Sequence, residues 1–146
     1  MVIRRMIFDD LEFFNKLRNS CVGFLHDKTK HSLDQAKQWF LKNKPVYFIL
    51  LVDNEKVGYF RTSNWTSNSC YIGLDIDECY RGKGYAVPAY REFVALLKQH
   101  YNISNIYLEV LSSNTRAIHI YNKLGFEKTS ELYYSETENT IKMQLR

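Results

Sequence analysis

The feature that most narrows what this chain can fold into is Arg81-Gly82-Lys83-Gly84-Tyr85-Ala86, a basic glycine turn between a strand-like run and an amphipathic helical run. A strand that passes through such a turn into a helix is an α/β unit. Its glycines let the backbone turn tightly with N–H groups facing one point, and the following helix adds the partial positive charge of its N-terminus. Arg81 and Lys83 add full charges, which suits the two adjacent anions of a pyrophosphate. A solvated basic turn has the same composition, so the turn alone leaves both readings open. It matches neither a phosphate loop ending in Gly-Lys-Ser/Thr nor a Gly-x-Gly-x-x-Gly dinucleotide turn.

Around the turn, strand and helix signals alternate without linker or repeat. Residues 2–6 read as a short strand. Leu11, Phe14 and Leu17 recur at helical spacing behind Asp9 and Asp10, whose charges favour a helix N-terminus. Ser32-Leu33-Asp34-Gln35 matches a capping box for a second helix with Leu33, Ala36, Trp39 and Phe40 on its apolar face, ended by Pro45. Residues 46–52 form a buried strand, 53–56 a hairpin turn, 57–62 the return strand, and 70–77 the strand that leads into the glycine turn. Ala89, Phe93, Leu96 and Leu97 mark a third helix, with Pro88 tolerated in its first turn. After a strand over 106–111, Asn114 caps a fourth helix with inner face Ala117, Ile118, Tyr121 and Leu124, stopped at Gly125. Strands 126–134 and 139–145 can pair as a long hairpin. The order β-α-α-β-β-β-α-β-α-β-β predicts an α/β fold with a mixed sheet covered by helices.

At 146 residues with 45% hydrophobic and 15% aromatic content, the chain suits one globular domain over residues 1–146 and excludes disordered or collagen-like classes. The net charge of +4 favours an anionic ligand, yet the basic residues are scattered rather than interleaved with aromatics on one face, so no nucleic-acid partner is expected. Cys21, Cys70 and Cys79 show no metal-ligand spacing, so no metal is expected and reduced thiols are. The N-terminus reaches two acidic residues before any signal-like apolar stretch, and no run approaches the ~18 residues of a membrane span. A soluble, cytoplasmic protein without membrane partners follows, as a monomer or homodimer.

The second informative segment is Leu108-Glu109-Val110 followed by Asn114-Thr115-Arg116-Ala117-Ile118-His119-Ile120-Tyr121-Asn122-Lys123-Leu124-Gly125-Phe126. Here the sequence resembles the GNAT superfamily of acetyl-coenzyme A-dependent N-acetyltransferases, whose pattern Asn-x-x-Ala-x-x-x-Tyr-x-x-x-Gly-Phe is met at every fixed position, downstream of a matching Arg-x-x-Gly-x-Ala turn. Chance agreement at five fixed positions is on the order of one in a million at average usage. The resemblance covers residues 46–146 firmly and the first 45 by element order. It implies a mixed, mostly antiparallel central sheet flanked by about four helices, with a V-shaped splay between two central strands, and acetyl-coenzyme A as co-substrate. Backbone groups of Leu74 and Ile76 would line the pantetheine arm, with the Ile76 N–H as oxyanion donor. Arg81, Gly82, Lys83, Gly84, Tyr85 and Ala86 would hold the pyrophosphate, and Asn114 and Tyr121 would lie near the thioester.

An aliphatic amine must lose a proton before it attacks a thioester. By its similarity to the glutamate–tyrosine pair of ribosomal-protein N-terminal acetyltransferases, Glu109 is the candidate base; Asp75, Asp77 and water are the alternatives. Tyr121 would protonate the departing thiolate. Where many members carry a base glutamate, this chain has Cys70. His119 reads as a surface residue, and Arg116 as a phosphate contact or a solvated charge. The resemblance implies a small-molecule amine acceptor, expected to be a nucleotide-linked amino sugar, because Leu17-Arg18-Asn19 and Cys70-Tyr71-Ile72-Gly73-Leu74 look like that branch. A protein N-terminal or lysine amine and a catalytically silent acyl-coenzyme A-binding domain are the alternatives. Arg18 and Trp65 are candidate acceptor contacts, and Phe24, Tyr133 and Tyr134 could stack on a ring or fill the core.

Overall fold

In this computed structural model, which describes every residue except 23, 24 and 27, the elements follow the order read from the sequence. They are β1 (Val2–Arg5), α1 (Leu11–Ser20), α2 (Leu33–Asn43), β2 (Phe48–Val52), β3 (Glu55–Ser63), β4 (Ser69–Ile76), α3 (Ala86–His100), β5 (Asn105–Leu111), α4 (Thr115–Leu124), β6 (Phe126–Tyr133) and β7 (Asn139–Leu145). The strand order is β1-β2-β3-β4-β5-β7-β6. β4 and β5 are parallel, and the β1–β2, β2–β3, β5–β7 and β6–β7 pairs are antiparallel. The expected mixed, mostly antiparallel sheet with four helices is the one observed. Phe24 lies outside the described residues.

The chain divides into two compact units, the first formed by Met1–Thr62 and Leu74–Tyr85. Its β2–β3 hairpin is tighter than the four-residue turn expected: Val52 pairs with Glu55, leaving Asp53 and Asn54 at φ 52° and 65° as a two-residue primed turn. The capping box of α2 forms as read, with Gln35 N–H donating to Ser32 Oγ at 3.1 Å and Ser32 N–H donating to Gln35 Oε1 at 2.8 Å. α2 ends at Asn43, and its C-cap Lys44, immediately before Pro45, turns left-handed at φ 47°. The periodic Leu11, Phe14 and Leu17 of α1 join Ile49 and Tyr59 in one buried cluster, each apolar side chain contributing roughly 1.5–3 kcal/mol.

Asp10 departs from its expected role. Its carboxylate is buried and accepts from Arg4 Nη1 and Nη2 at 2.8 and 2.9 Å, from the Ile7 N–H at 2.8 Å and from Lys56 Nζ at 2.8 Å. It ties β1 and the β3 strand to the entry of α1 rather than capping that helix.

The second unit comprises Ser63–Gly73 and Ala86–Arg146. α3 buries Ala89, Phe93 and Leu97 at four-residue spacing, with Tyr90 beside them, and Pro88 falls in its first turn. β5 alternates, burying Ile106, Leu108 and Val110 and leaving Glu109 exposed. β4 pairs with β5 at three positions, from Ser69↔Asn105 to Tyr71↔Tyr107, whereas β5 pairs with β7 as far as Leu111↔Thr140. Asn114 caps α4 through its side-chain oxygen, which accepts from the Ala117 N–H at 3.3 Å, and Gly125 ends it at φ 99°. The four-residue inner face expected for α4 shrinks to one: Tyr121 is buried, and Ala117, Ile118 and Leu124 stay partly exposed.

Candidate active site

In the first unit, the C-terminal end of β4 and the glycine turn form one braced segment. Gly58 permits it: a Cβ there would stand 2.5 Å from the carbonyl oxygen of Asp75, inside any real contact distance. The Asp77 N–H donates to Val57 O at 2.8 Å, and Asp77 Oδ1 accepts from the Cys79 N–H at 3.0 Å. Arg81, expected at the pyrophosphate, donates through Nε to Ile76 O at 2.8 Å and through Nη2 to Cys21 Sγ at 3.2 Å. The guanidinium therefore fixes the peptide that follows Ile76. Gly82 and Gly84 sit at φ 73° and 82°, Lys83 is exposed at the tip with its ammonium 5.8 Å from the Tyr80 ring, and the chain runs straight into α3 at Ala86. A Cβ at Gly84 would meet nothing within 4 Å, so this glycine leaves an open backbone face of the kind an anion needs.

The same unit holds a partly open cavity of about 530 Å³ lined by α1, α2, Leu25, His26, His31, Tyr47 and Arg61. Arg18, the expected acceptor contact, is among its lining residues, and its guanidinium donates to the Thr29 carbonyl. Leu17-Arg18-Asn19 thus has a structural duty: Asn19 Nδ2 donates to His31 O at 2.7 Å while the His31 N–H donates back to Asn19 Oδ1 at 3.0 Å, and Asn15 Nδ2 also reaches His31 O at 3.0 Å. The aromatic wall is Trp39 stacked on Phe14 at 5.4 Å, with Tyr47 edge-on to both. Asp75, one of the alternative bases, is 6% exposed and bonded to Arg61 Nε at 3.1 Å.

In the second unit, Tyr121 is 9% exposed and its hydroxyl accepts from the Tyr90 hydroxyl at 3.2 Å, the two rings meeting edge to face at 5.6 Å. A hydroxyl that accepts keeps its own proton to donate. Tyr90 was not singled out in the sequence, because a tyrosine on the buried face of α3 looks like core until its partner is seen. Glu109 is exposed and stands opposite Lys142 in the β5–β7 register. Lys142 lies over Tyr107 and Tyr71, 4.8 and 5.4 Å from the ring centroids. Trp65 packs against Tyr101 at 5.8 Å, Tyr133 is exposed and Tyr134 half-buried. His119 and Arg116 are exposed. Burial pushes the Cys70 thiol up to about 11, so the residue in the family's usual base position stays protonated at neutral pH. Among the described residues no group of three or more His, Cys, Asp or Glu could hold a metal ion, and no helix is long and apolar enough to cross a membrane.

If Tyr90 sets the Tyr121 hydroxyl, Tyr90→Phe should lower turnover about fivefold, the ~1 kcal/mol of one neutral hydrogen bond. The same change in a Tyr121→Phe background should do nothing more. Equal losses in both backgrounds would make Tyr90 a packing residue.

A family model described as the acetyltransferase (GNAT) family matches residues 11–126. The chain belongs to the GNAT acetyltransferase family. Among GNAT relatives, the N-alpha-acetyltransferase of Saccharolobus solfataricus is 32% identical over 111 residues, covering 66% of this chain and 66% of that protein. The spermine/spermidine N(1)-acetyltransferase of Bacillus subtilis is 30% identical over 122 residues, 80% of each chain. The crystal structure of spermidine N-acetyltransferase from Vibrio cholerae in complex with CoA and spermine shares the GNAT fold with a TM-score of 0.88 at 20% identity, over 99% of this chain and 94% of that one. The resemblance carried by Asn114, Ala117, Tyr121, Gly125 and Phe126 is borne out, and with it acetyl-coenzyme A as the co-substrate of the family.

Proposed function

We propose that residues 1–146 act as one N-acetyltransferase domain, transferring an acetyl group from acetyl-coenzyme A to a primary amine by direct attack in a ternary complex. The observation that carries this reading is the buried Tyr121 phenol, at the motif's tyrosine and holding a bond from Tyr90. A silent acyl-coenzyme A-binding domain has no use for that pair. The glycine turn fits the co-substrate through its open face at Gly84 and its exposed Lys83, and Leu74 and Ile76 of the braced β4 end would offer backbone groups to the pantetheine arm. The bound co-substrate supplies a thioester carbonyl for the amine to attack and a thiolate that must be protonated. Tyr121 Oη holds the proton for that sulfur, and exposed Glu109 takes the amine's proton through water. Arg81 acts on the site indirectly, by holding the Ile76 carbonyl. We place the reaction in the cytoplasm, where an exposed thiol such as Cys79 stays reduced.

The acceptor stands at the level of a primary amine. The relatives are named for polyamines and for protein α-amines, and the amino-sugar reading keeps only the basic and aromatic character of the cavity in its favour.

Gly84→Val tests the co-substrate site. A β-branched residue at φ 82° is strained even in open space, so the turn must rearrange. Affinity for acetyl-coenzyme A in calorimetry should drop at least tenfold, or ~1.4 kcal/mol. Undiminished affinity in a folded variant would remove the turn from the site.

A further inference from the structure

We propose that Cys21, at the C-terminal end of α1, is a positioning residue for the co-substrate: its thiol holds the Arg81 guanidinium in place, and through Arg81 the backbone that leads from β4 into the glycine turn. This rests on the acetyltransferase reading above, whose site it deepens by making α1 a support of the acetyl-coenzyme A segment.

The backbone comes first. A peptide is planar, so its direction is set by the ψ before it and the φ after it. For the peptide between Ile76 and Asp77 both polar groups are held: the Ile76 carbonyl accepts from Arg81 Nε at 2.8 Å, and the Asp77 N–H donates to Val57 O at 2.8 Å. On the other side of Ile76, the Asp75 carbonyl lies over Gly58, close enough to exclude a Cβ there. Ile76 is thus fixed at both flanks, and it is the last residue of β4, from which the co-substrate is expected to take backbone bonds. Of these three restraints, the one from Arg81 rests on a side chain. An arginine is long and rich in rotamers, so it holds a carbonyl firmly only when its own far end is fixed.

Cys21 supplies that fixed point. Arg81 Nη2 stands 3.2 Å from Cys21 Sγ, so one guanidinium bridges from the thiol to the Ile76 carbonyl. The thiol is itself held: Cys21 is 2% exposed, packs in the cluster of Leu17, Leu25 and Tyr59, and its N–H donates to Arg18 O at 3.1 Å where α1 ends. Packing alone asks only for a small apolar side chain there, and does not account for a guanidinium at hydrogen-bond distance from the sulfur. Burial, the largest effect on this thiol, pushes it up, so at neutral pH it accepts as a neutral group. Removing it therefore takes no counter-charge from Arg81. What is lost is the direction of the guanidinium.

Variants of the whole chain separate position from packing. Cys21→Ser keeps an acceptor, Cys21→Ala removes it, and Arg81→Lys keeps the charge but loses the fork that reaches both partners. By calorimetry, Cys21→Ala should weaken acetyl-coenzyme A binding about fivefold, the size of one hydrogen bond, and Arg81→Lys at least as much. The double variant should bind no more weakly than Arg81→Lys alone, and Cys21→Ser nearly as the parent does. A thermal melt of each shows that it folds, and Arg81→Lys carries the test if Cys21→Ala does not. Parent-like affinity in Cys21→Ala or in Arg81→Lys, a loss in Cys21→Ser equal to that in Cys21→Ala, or losses that add in the double variant would make Cys21 a packing residue and overturn the proposal. Amide exchange separates the two levels. The Asp77 N–H reports on the held peptide without any ligand, and its exchange should quicken in Cys21→Ala and not in Cys21→Ser. Unchanged exchange in Cys21→Ala would sink this inference and leave the acetyltransferase reading, whereas quickened exchange in a chain whose parent form does not bind acetyl-coenzyme A would do the reverse.

Discussion

Tyr121→Phe is expected to lower turnover roughly 10²-fold, within the range for one acid–base group, with affinity for acetyl-coenzyme A nearly unchanged. The substitution keeps the ring that meets Tyr90 and Phe126 edge-on, so the packing at 5.6 and 6.0 Å survives and only the hydroxyl is lost. A phenol with an ordinary pKa near ~10 gives its proton uphill to a thiolate whose thiol lies near ~8.5. The bond donated by Tyr90 orients the Tyr121 hydroxyl and leaves its own proton available to the sulfur. The loss should be greatest at neutral pH. Parent-like turnover from pH 7 to 9 would make Tyr121 a core residue and leave the thiolate to be protonated by water.

Asp10→Asn is expected to cost about 2 kcal/mol of stability, the low end for a buried carboxylate with charged donors, because Arg4 and Lys56 are each about a third exposed and regain water when released. Burial alone would raise the Asp10 pKa. The bonds from Arg4, the Ile7 N–H and Lys56 outweigh that and hold the carboxyl well below the usual range. A depressed carboxyl contributes stability above its unfolded value, near ~3.9, and loses it as pH falls toward the folded value. Urea unfolding should therefore show the parent weakening below about pH 4, with that part of the slope missing in the variant. If both chains lose stability in parallel on acidification, the Asp10 network is not what acid disrupts.

What was legible in the sequence was what a few neighbouring residues decide among themselves. The Ser32–Gln35 box, the Asn114 cap and the Gly125 stop each act within four residues, and all three formed as read. The family pattern from Asn114 to Phe126 was legible because it is local to one helix and its flanks. The contacts that the sequence does not display join residues far apart along the chain. Asp10 stands at the helix terminus as its charge suggests, but its bond to Lys56 is not local, and the bond of Arg81 to Cys21 spans sixty positions. Tyr90 and Tyr121 are separated by thirty-one positions and meet only when α3 and α4 pack together. Gly58 gave no turn signal at all, since its need arises from a strand end approaching from elsewhere in the chain.

The grip of α1 on Thr29 and His31 bears on which sequence changes that part of the chain can absorb. Asn15, Arg18 and Asn19 lie on one helical face, three and four residues apart, and hold backbone atoms of Thr29 and His31 rather than their side chains. These bonds are made to main-chain atoms, so they do not depend on which side chain stands at positions 29 and 31. A substitution at position 29 or 31 leaves them in place, whereas an insertion or deletion between α1 and that point would carry the backbone away from its anchor unless α1 changed with it.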